Sequence, residues 1–275
     1  MGEGPLHTEI ADGIAVVTID HPPTNLVDGE LIAALLELLP TLESGEVRAA
    51  VFRSADPDFF LMHGDVQLLV GAGGGAHVPA TEPNVAAAAF LRLSRVPAVT
   101  IGLVDGAARG GGCELLSALD LRVGTLRTII GQPEVPMGIL PGAGGTARWP
   151  RLVGRARAIE LLITGRDIDA EEALAIGWLD HLVPAGKLDD EGMALARRIA
   201  AMPASSIAAV KRVVDRSLEG LDAALVLESD ELGRLMAAGG HQPRMRRFLA
   251  AGGQTREVER GNIDALLDVM LDPDS

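Results

Sequence analysis

A strand of the buried type over Ala98–Val104 is followed by a second short strand, three consecutive glycines (Gly110, Gly111 and Gly112) and a helix-forming run that opens at Glu114. This succession limits the possible folds more than any other stretch of the chain. A strand that feeds a helix through a glycine turn returns as a further strand, and strand–helix alternation of this kind indicates an α/β fold with parallel pairing. The pattern recurs at Thr128–Gly131, where a short strand runs into the loop QPEVPMGILPGAGGT.

The flanking segments agree. Leu6–Ile10 and Ile14–Asp20 bracket Asp12-Gly13, a strong signal for a tight hairpin turn. Glu30–Leu39 has apolar residues at helical spacing and is expected to end at Pro40, ahead of a strand over Val47–Arg53. A helix is expected over Asn84–Arg92, and residues 71–83, rich in Gly and Pro, read as a mobile loop. Asp169 is placed to cap a helix that stops at Gly177, and Leu179–Val183 reads as one more short strand. Helices are then expected over 187–201, 204–218, 221–238, 241–251 and 256–271, which divides the 275 residues into a core over 1–200 and a helical region over 201–275. With 33 glycines, no tyrosine and only 3% aromatic residues, the core must pack through close backbone approach and branched aliphatics.

Charge narrows the partners. A net charge of −14 argues against nucleic acid as the main ligand, because phosphate backbones are repelled overall. A single cysteine, Cys113, allows no internal disulfide and no cysteine-based metal cluster, and fits a reducing cytoplasm. No basic-then-apolar leader opens the sequence, and no apolar run reaches the roughly 18 residues a membrane span needs. No metal, flavin or nicotinamide motif is present, so neither a metal nor a cofactor is expected.

Three places set unusual backbone chemistry beside an acid. In ARGGGCE (108–114) the glycines leave N–H groups unshielded at a helix start, where a developing oxyanion can be held. Taken alone, Glu114 reads more simply as a first-turn acid that offsets the helix dipole. In GQPEVPMGILPGAGGT (131–146) Glu134 follows Pro133, and further prolines and glycines give the loop a defined shape. In FFLMHGDV (59–66) a glycine precedes an acid after two aromatic rings, which by itself could be any loop.

Together, in this order, the three segments resemble the crotonase family, the enoyl-CoA hydratase/isomerase superfamily. VDGAARGGGCELLSALDLRVG is similar to its oxyanion-hole segment with the first catalytic glutamate, GQPEVPMGILPGAGGT to its second-glutamate segment, and HPPTNLV to its early substrate-side loop. The resemblance covers about residues 8–215 and implies a crotonase-like spiral of ββα units with a helical C-terminal trimerisation region, in a homotrimer or dimer of trimers. It implies an acyl-CoA thioester as partner, with coenzyme A part of the substrate. Gly64 and Gly111 match the two residues whose N–H groups bind the thioester carbonyl, Glu114 and Glu134 the acid–base pair, and Gly142 a glycine whose backbone helps hold water. Gly64, Asp65, Val66 and Gln67 match a stretch lining the coenzyme A site. Both glutamates favour the hydratase branch over isomerases and other reactions of the superfamily. A non-catalytic acyl-CoA-binding protein is the rival of another class, and would not need the pair. Two positions depart from the pattern: His63 stands where the family commonly has glycine, and Arg109 where it has an apolar residue. Arg109 suits a polar acyl group, a phosphate or a salt bridge.

Overall fold

The structure, a computed structural model, describes residues 4–66, 81–218, 247, 250 and 251. Strands β1 (Leu6–Ala11) and β2 (Ile14–Ile19) form the expected antiparallel hairpin. Asp12 and Gly13 have φ of 54° and 76°, the paired positive values a two-residue hairpin turn demands. Helix α1 (Gly29–Glu43) begins at Asp28, whose Oδ1 accepts the N–H groups of Glu30 at 3.0 Å and Leu31 at 2.9 Å. It does not stop at Pro40. The proline lies on the exposed face, and burial of Leu38, Leu39 and Leu42 keeps the last turn wound despite the lost hydrogen bond.

Three successive ββα units follow. The first holds β3 (Ala49–Ser54), β4 (Phe59–Leu61) and α2 (Val85–Ser94). The second holds β5 (Val99–Val104), β6 (Ala107–Arg109) and α3 (Gly111–Ala118), and the third β7 (Leu121–Gly124), β8 (Ile129–Gly131) and α4 (Gly145–Val153). In each unit the first strand joins a large sheet and the second crosses to a small one. After α5 (Arg155–Thr164), β9 (Ile168–Asp169) adds an antiparallel edge to the small sheet, ordered β4-β6-β8-β9. Asp169 then caps α6 (Ala170–Ala175), accepting the Glu172 N–H at 2.8 Å. The strand expected over 179–183 narrows to β10 (His181–Leu182), parallel to β7 at the edge of the large sheet β1-β2-β3-β5-β7-β10.

The middle of the large sheet, from β2 to β7, is buried on both faces, which is why these strands are mostly apolar. Along β3, Ala50 and Phe52 face a core shared with α1, α2 and α3, whereas Ala49 and Val51 face Ala196 and Ala200 of α7 (Leu188–Ala200). Trp149 and Trp178 are fully buried in the first core, edge to face with centroids 5.8 Å apart. Arg122 is buried beside them. Its Nε donates to the Trp178 carbonyl at 2.6 Å and its Nη2 pairs with Asp180 at 2.9 Å, tying β7 to the segment before β10.

The chain divides into two compact units, Met1–Ala200 and Ala201–Ser275. In the second, α8 (Ala204–Ser217) matches the helix expected over 204–218. The helices expected over 221–238 and 256–271 and most of 241–251 lie outside the described residues, as does all of the 71–83 loop except 81–83. Among the described residues no helix is long and apolar enough to cross a membrane.

Candidate active site

The second and third ββα units end side by side, and this brings the candidate residues together. Gly110 precedes α3 with φ of 52°. A Cβ there would lie 2.6 Å from Glu134 Oε1 and 2.8 Å from the His63 Cβ, so only glycine lets the three segments meet. The Gly112 N–H donates to the Met62 carbonyl at 3.0 Å, and Gly110 N–H to the Gly131 carbonyl at 2.9 Å. Residues 62–64, the start of α3 and the loop after β8 are thereby fixed against one another.

Gly64 pairs with Val27 as a parallel bridge in which Val27 makes both bonds: its N–H donates to His63 O at 3.1 Å and its carbonyl accepts from Asp65 N at 3.3 Å. In such a bridge the N–H and carbonyl of Gly64 itself point to the opposite side. Gly111 is the first residue of α3, where an N–H has no partner within the helix. Val27 packs against Gly111, its Cγ2 2.9 Å from where a Cβ would stand. The geometry therefore sets two backbone donors of the kind an oxyanion needs on segments held in contact. Asn25 anchors the loop over 21–25: its Nδ2 donates to Ser54 Oγ and to the carbonyls of Phe59 and Phe60.

Glu114, 4% exposed, lies in the first turn of α3. Its Oε1 accepts the N–H groups of Ala143 at 2.7 Å and Gly145 at 2.8 Å. Gly144, the cap residue of α4, offers no side-chain acceptor, so Glu114 caps α4 from a neighbouring helix. Both of these bonds go to Oε1. Burial raises the pKa of Glu114, while the N–H groups of Gly145 and Ala143 and the Arg148 charge oppose the shift.

Glu134, 7% exposed, sits in the loop after β8. Burial pushes its pKa up to about 7, against the pull of its own N–H, and the Glu114 charge adds to the rise. Between the two carboxyls lies Gln132, fully buried. With its amide NH2 turned toward Glu134, it donates to Oε2 at 3.0 Å and Oε1 at 3.2 Å. Two nearby carboxyls in unlike surroundings can divide acid and base roles.

Asp65 and Val66 continue from Gly64, and Gln67 lies outside the described residues. Gly142 is exposed, and its carbonyl accepts from Asn84 Nδ2 at 2.8 Å. His63 turns its Nδ1 onto the Gly64 carbonyl at 2.9 Å. Arg109 forms a two-pronged ion pair with Asp167, at 2.8 and 2.6 Å, which settles it as a salt bridge between β6 and the segment before β9. The sequence reading did not single out Gln132, Arg148, Asn84 or Asn25. Gln132 flanks Glu134 two positions away, the nearest thing to a signal for it.

Comparison with known proteins bears on family and fold. The family profile for enoyl-CoA hydratase/isomerase matches residues 9–248. An enoyl-CoA hydratase candidate from Streptomyces avermitilis is 34% identical, with 98% of this chain and 99% of that chain covered and a TM-score of 0.70. The enoyl-CoA hydratase of Bacillus anthracis has a TM-score of 0.82 at 22% identity, over 90% of this chain and 96% of that one. That of Polaromonas sp. JS666 has a TM-score of 0.82 at 23% identity, over 90% and 98%. The chain described here belongs to the enoyl-CoA hydratase/isomerase family and has its crotonase fold.

Proposed function

We propose that this protein hydrates a 2-enoyl-CoA thioester by syn addition of water across the double bond. One observation carries the reading: two buried carboxyls in different surroundings lie beside the contacting segments that carry Gly64 and Gly111. Glu134, with a pKa of about 7, is able to hold a proton near neutrality. Glu114 has N–H donors that favour its charged form. Water adding at the β-carbon builds enolate character on the thioester, which the two N–H groups stabilise. Each such donor is typically worth about 3 kcal/mol in the transition state. Glu114 takes the proton from water, and Glu134 delivers one to the α-carbon. Gly142 helps hold the water, and Gly64 through Gln67 line the coenzyme A side. The reaction calls for no cofactor, since coenzyme A is part of the substrate. The reading includes a cytoplasmic enzyme assembled as a homotrimer or dimer of trimers.

A carboxyl pair facing one loop is what a binding scaffold does not need, and a fixed Glu114 is what an isomerase does not need. The test is a series of 2-enoyl-CoA chain lengths, followed by loss of the conjugated chromophore. Turnover is expected on at least one, with Glu114→Gln and Glu134→Gln each lowering kcat by about 10²–10⁴-fold. Absence of hydration at every length would refute the assignment, and conversion of a 3-enoyl to a 2-enoyl thioester without hydration would replace it with isomerisation.

A further inference from the structure

We infer that Arg148 is a positioning residue that holds Glu114 in its ionised form and so fixes which of the two buried carboxyls is the base. The inference rests on the hydration reading above for its catalytic meaning, though not for its electrostatics. Arg148 stands in the first turn of α4, part-buried, with Nη1 donating to the Ala143 carbonyl at 3.2 Å. The N–H of that same residue donates to Glu114 Oε1 at 2.7 Å. The guanidinium also fills the space a side chain on Gly144 would occupy, so it packs along the whole turn that grips Glu114.

The charge pattern is uneven. Arg92, Arg109, Arg122, Arg127 and Arg166 each pair with an Asp or Glu within 4.0 Å, whereas among the described residues Arg148 forms no such pair. Burying a cation without a partner is costly, and burial lowers its pKa. The carboxylate acting on it is Glu114. The charged or titratable groups facing Glu114 are Arg148 from α4, Glu134 from the loop after β8, and the adjacent Cys113 on its own helix, whose thiol burial keeps protonated. Arg151, on the same helix as Arg148, bears on Arg148 with like charge. Glu134 has Gln132, a neutral amide, in the place where Glu114 has a cation. The guanidinium thus adds its charge to the N–H groups of Gly145 and Ala143 in making unequal two buried carboxyls that would otherwise compete for one proton.

The experiment compares the full-length protein with Arg148→Met, Arg148→Gln and Arg148→Lys. Arg148→Gln keeps a polar amide donor while removing the charge, so it covers the case in which Arg148→Met fails to fold. Losing the cation makes the carboxylate less favourable, raises the Glu114 pKa and delays formation of the base. The acid limb of the kcat/KM–pH profile is expected to move up by about one unit in the Met and Gln variants, and to return most of the way in Arg148→Lys. Isotope-edited infrared titration of Glu114 in a Glu134→Gln background, with and without Arg148→Gln, is expected to show the same upward shift without any turnover. An unmoved titration, with the rate lowered by one factor at every pH, overturns the proposal and leaves Arg148 as packing alone. A shifted titration in a protein that hydrates no enoyl-CoA overturns the hydration reading and leaves Arg148 standing.

Discussion

Glu134 and Glu114 show how far single residues depart from their ordinary chemistry here. The carboxyl of Glu134 has its pKa pushed up to about 7 in the folded chain, chiefly by burial, and in the unfolded chain it returns to the usual value near 4.5. The folded state therefore binds this proton more tightly. The resulting stability is complete below about pH 4.5, declines as pH rises through about 7, and is constant above. Glu134→Gln removes the titration, so the variant is expected to be more stable than the parent at pH 8, and the difference to close as pH falls toward 4.5. Allowing for solvent near the open side of the site, the gain is on the order of 1 kcal/mol, or about 2–4 °C in Tm. Thermal unfolding across pH 4.5 to 8 checks it, and a difference that does not vary with pH refutes it. Of the candidate site, the parts legible in the sequence are those written in local order: a triple glycine before Glu114, and Pro133 before Glu134. Gln132 and Arg148 were not legible as partners of the carboxyls, because their roles arise only where α4 and the β8 loop come against α3. His63 stood out as a departure from the family pattern, but its turn onto the Gly64 carbonyl is a matter of rotamer, which no spacing encodes.

At the scale of elements, the site depends on how closely α3 approaches β4. A Cβ on Gly112 would collide with the Leu61 carbonyl, a backbone atom that cannot swing aside. Gly112→Ala must therefore push the start of α3 away from residues 61–64, at a cost of about 1–3 kcal/mol. Because Gly111 and Gly64 sit on these two segments, hydration is expected to fall more than stability alone explains. Gly142→Ala is the control: the nearest atoms to its added Cβ are 3.8 Å away, an ordinary contact, so stability should hold within about 0.5 kcal/mol. Denaturant unfolding compares the two, with the rate measured on Gly112→Ala beside it; equal stability would mean that α3 can slide. The same scale explains which elements the sequence revealed. The β1–β2 hairpin and α6 carry their own turn and cap chemistry at Asp12-Gly13 and Asp169, and both were legible. The end of α1 was not, because burial of Leu42 outweighs the local signal of Pro40. Nor was the short length of β10, since an apolar run does not say how many of its residues find a partner on β7.

For the whole molecule, charge is the quantity that bears on function. The chain carries a net charge of −14, and many of its arginines are already matched to carboxylates, among them Arg92 with Glu43, Arg109 with Asp167, Arg122 with Asp180, and Arg166 with Glu160 and Glu172. The phosphates of coenzyme A are anionic, so an acyl-CoA approaches a like-charged body, and its recognition has to come from short-range donors such as backbone N–H groups. Added salt weakens the long-range repulsion, shortening the screening length from about 30 Å at about 0.01 M to about 8 Å at about 0.15 M. It leaves hydrogen bonds inside the site nearly unchanged. The KM for an enoyl-CoA is therefore expected to fall by about two- to threefold over this range while kcat stays constant. A KM that instead rises with salt would mean that a local basic surface steers the substrate in despite the overall charge, because only attraction between opposite charges is weakened in that direction.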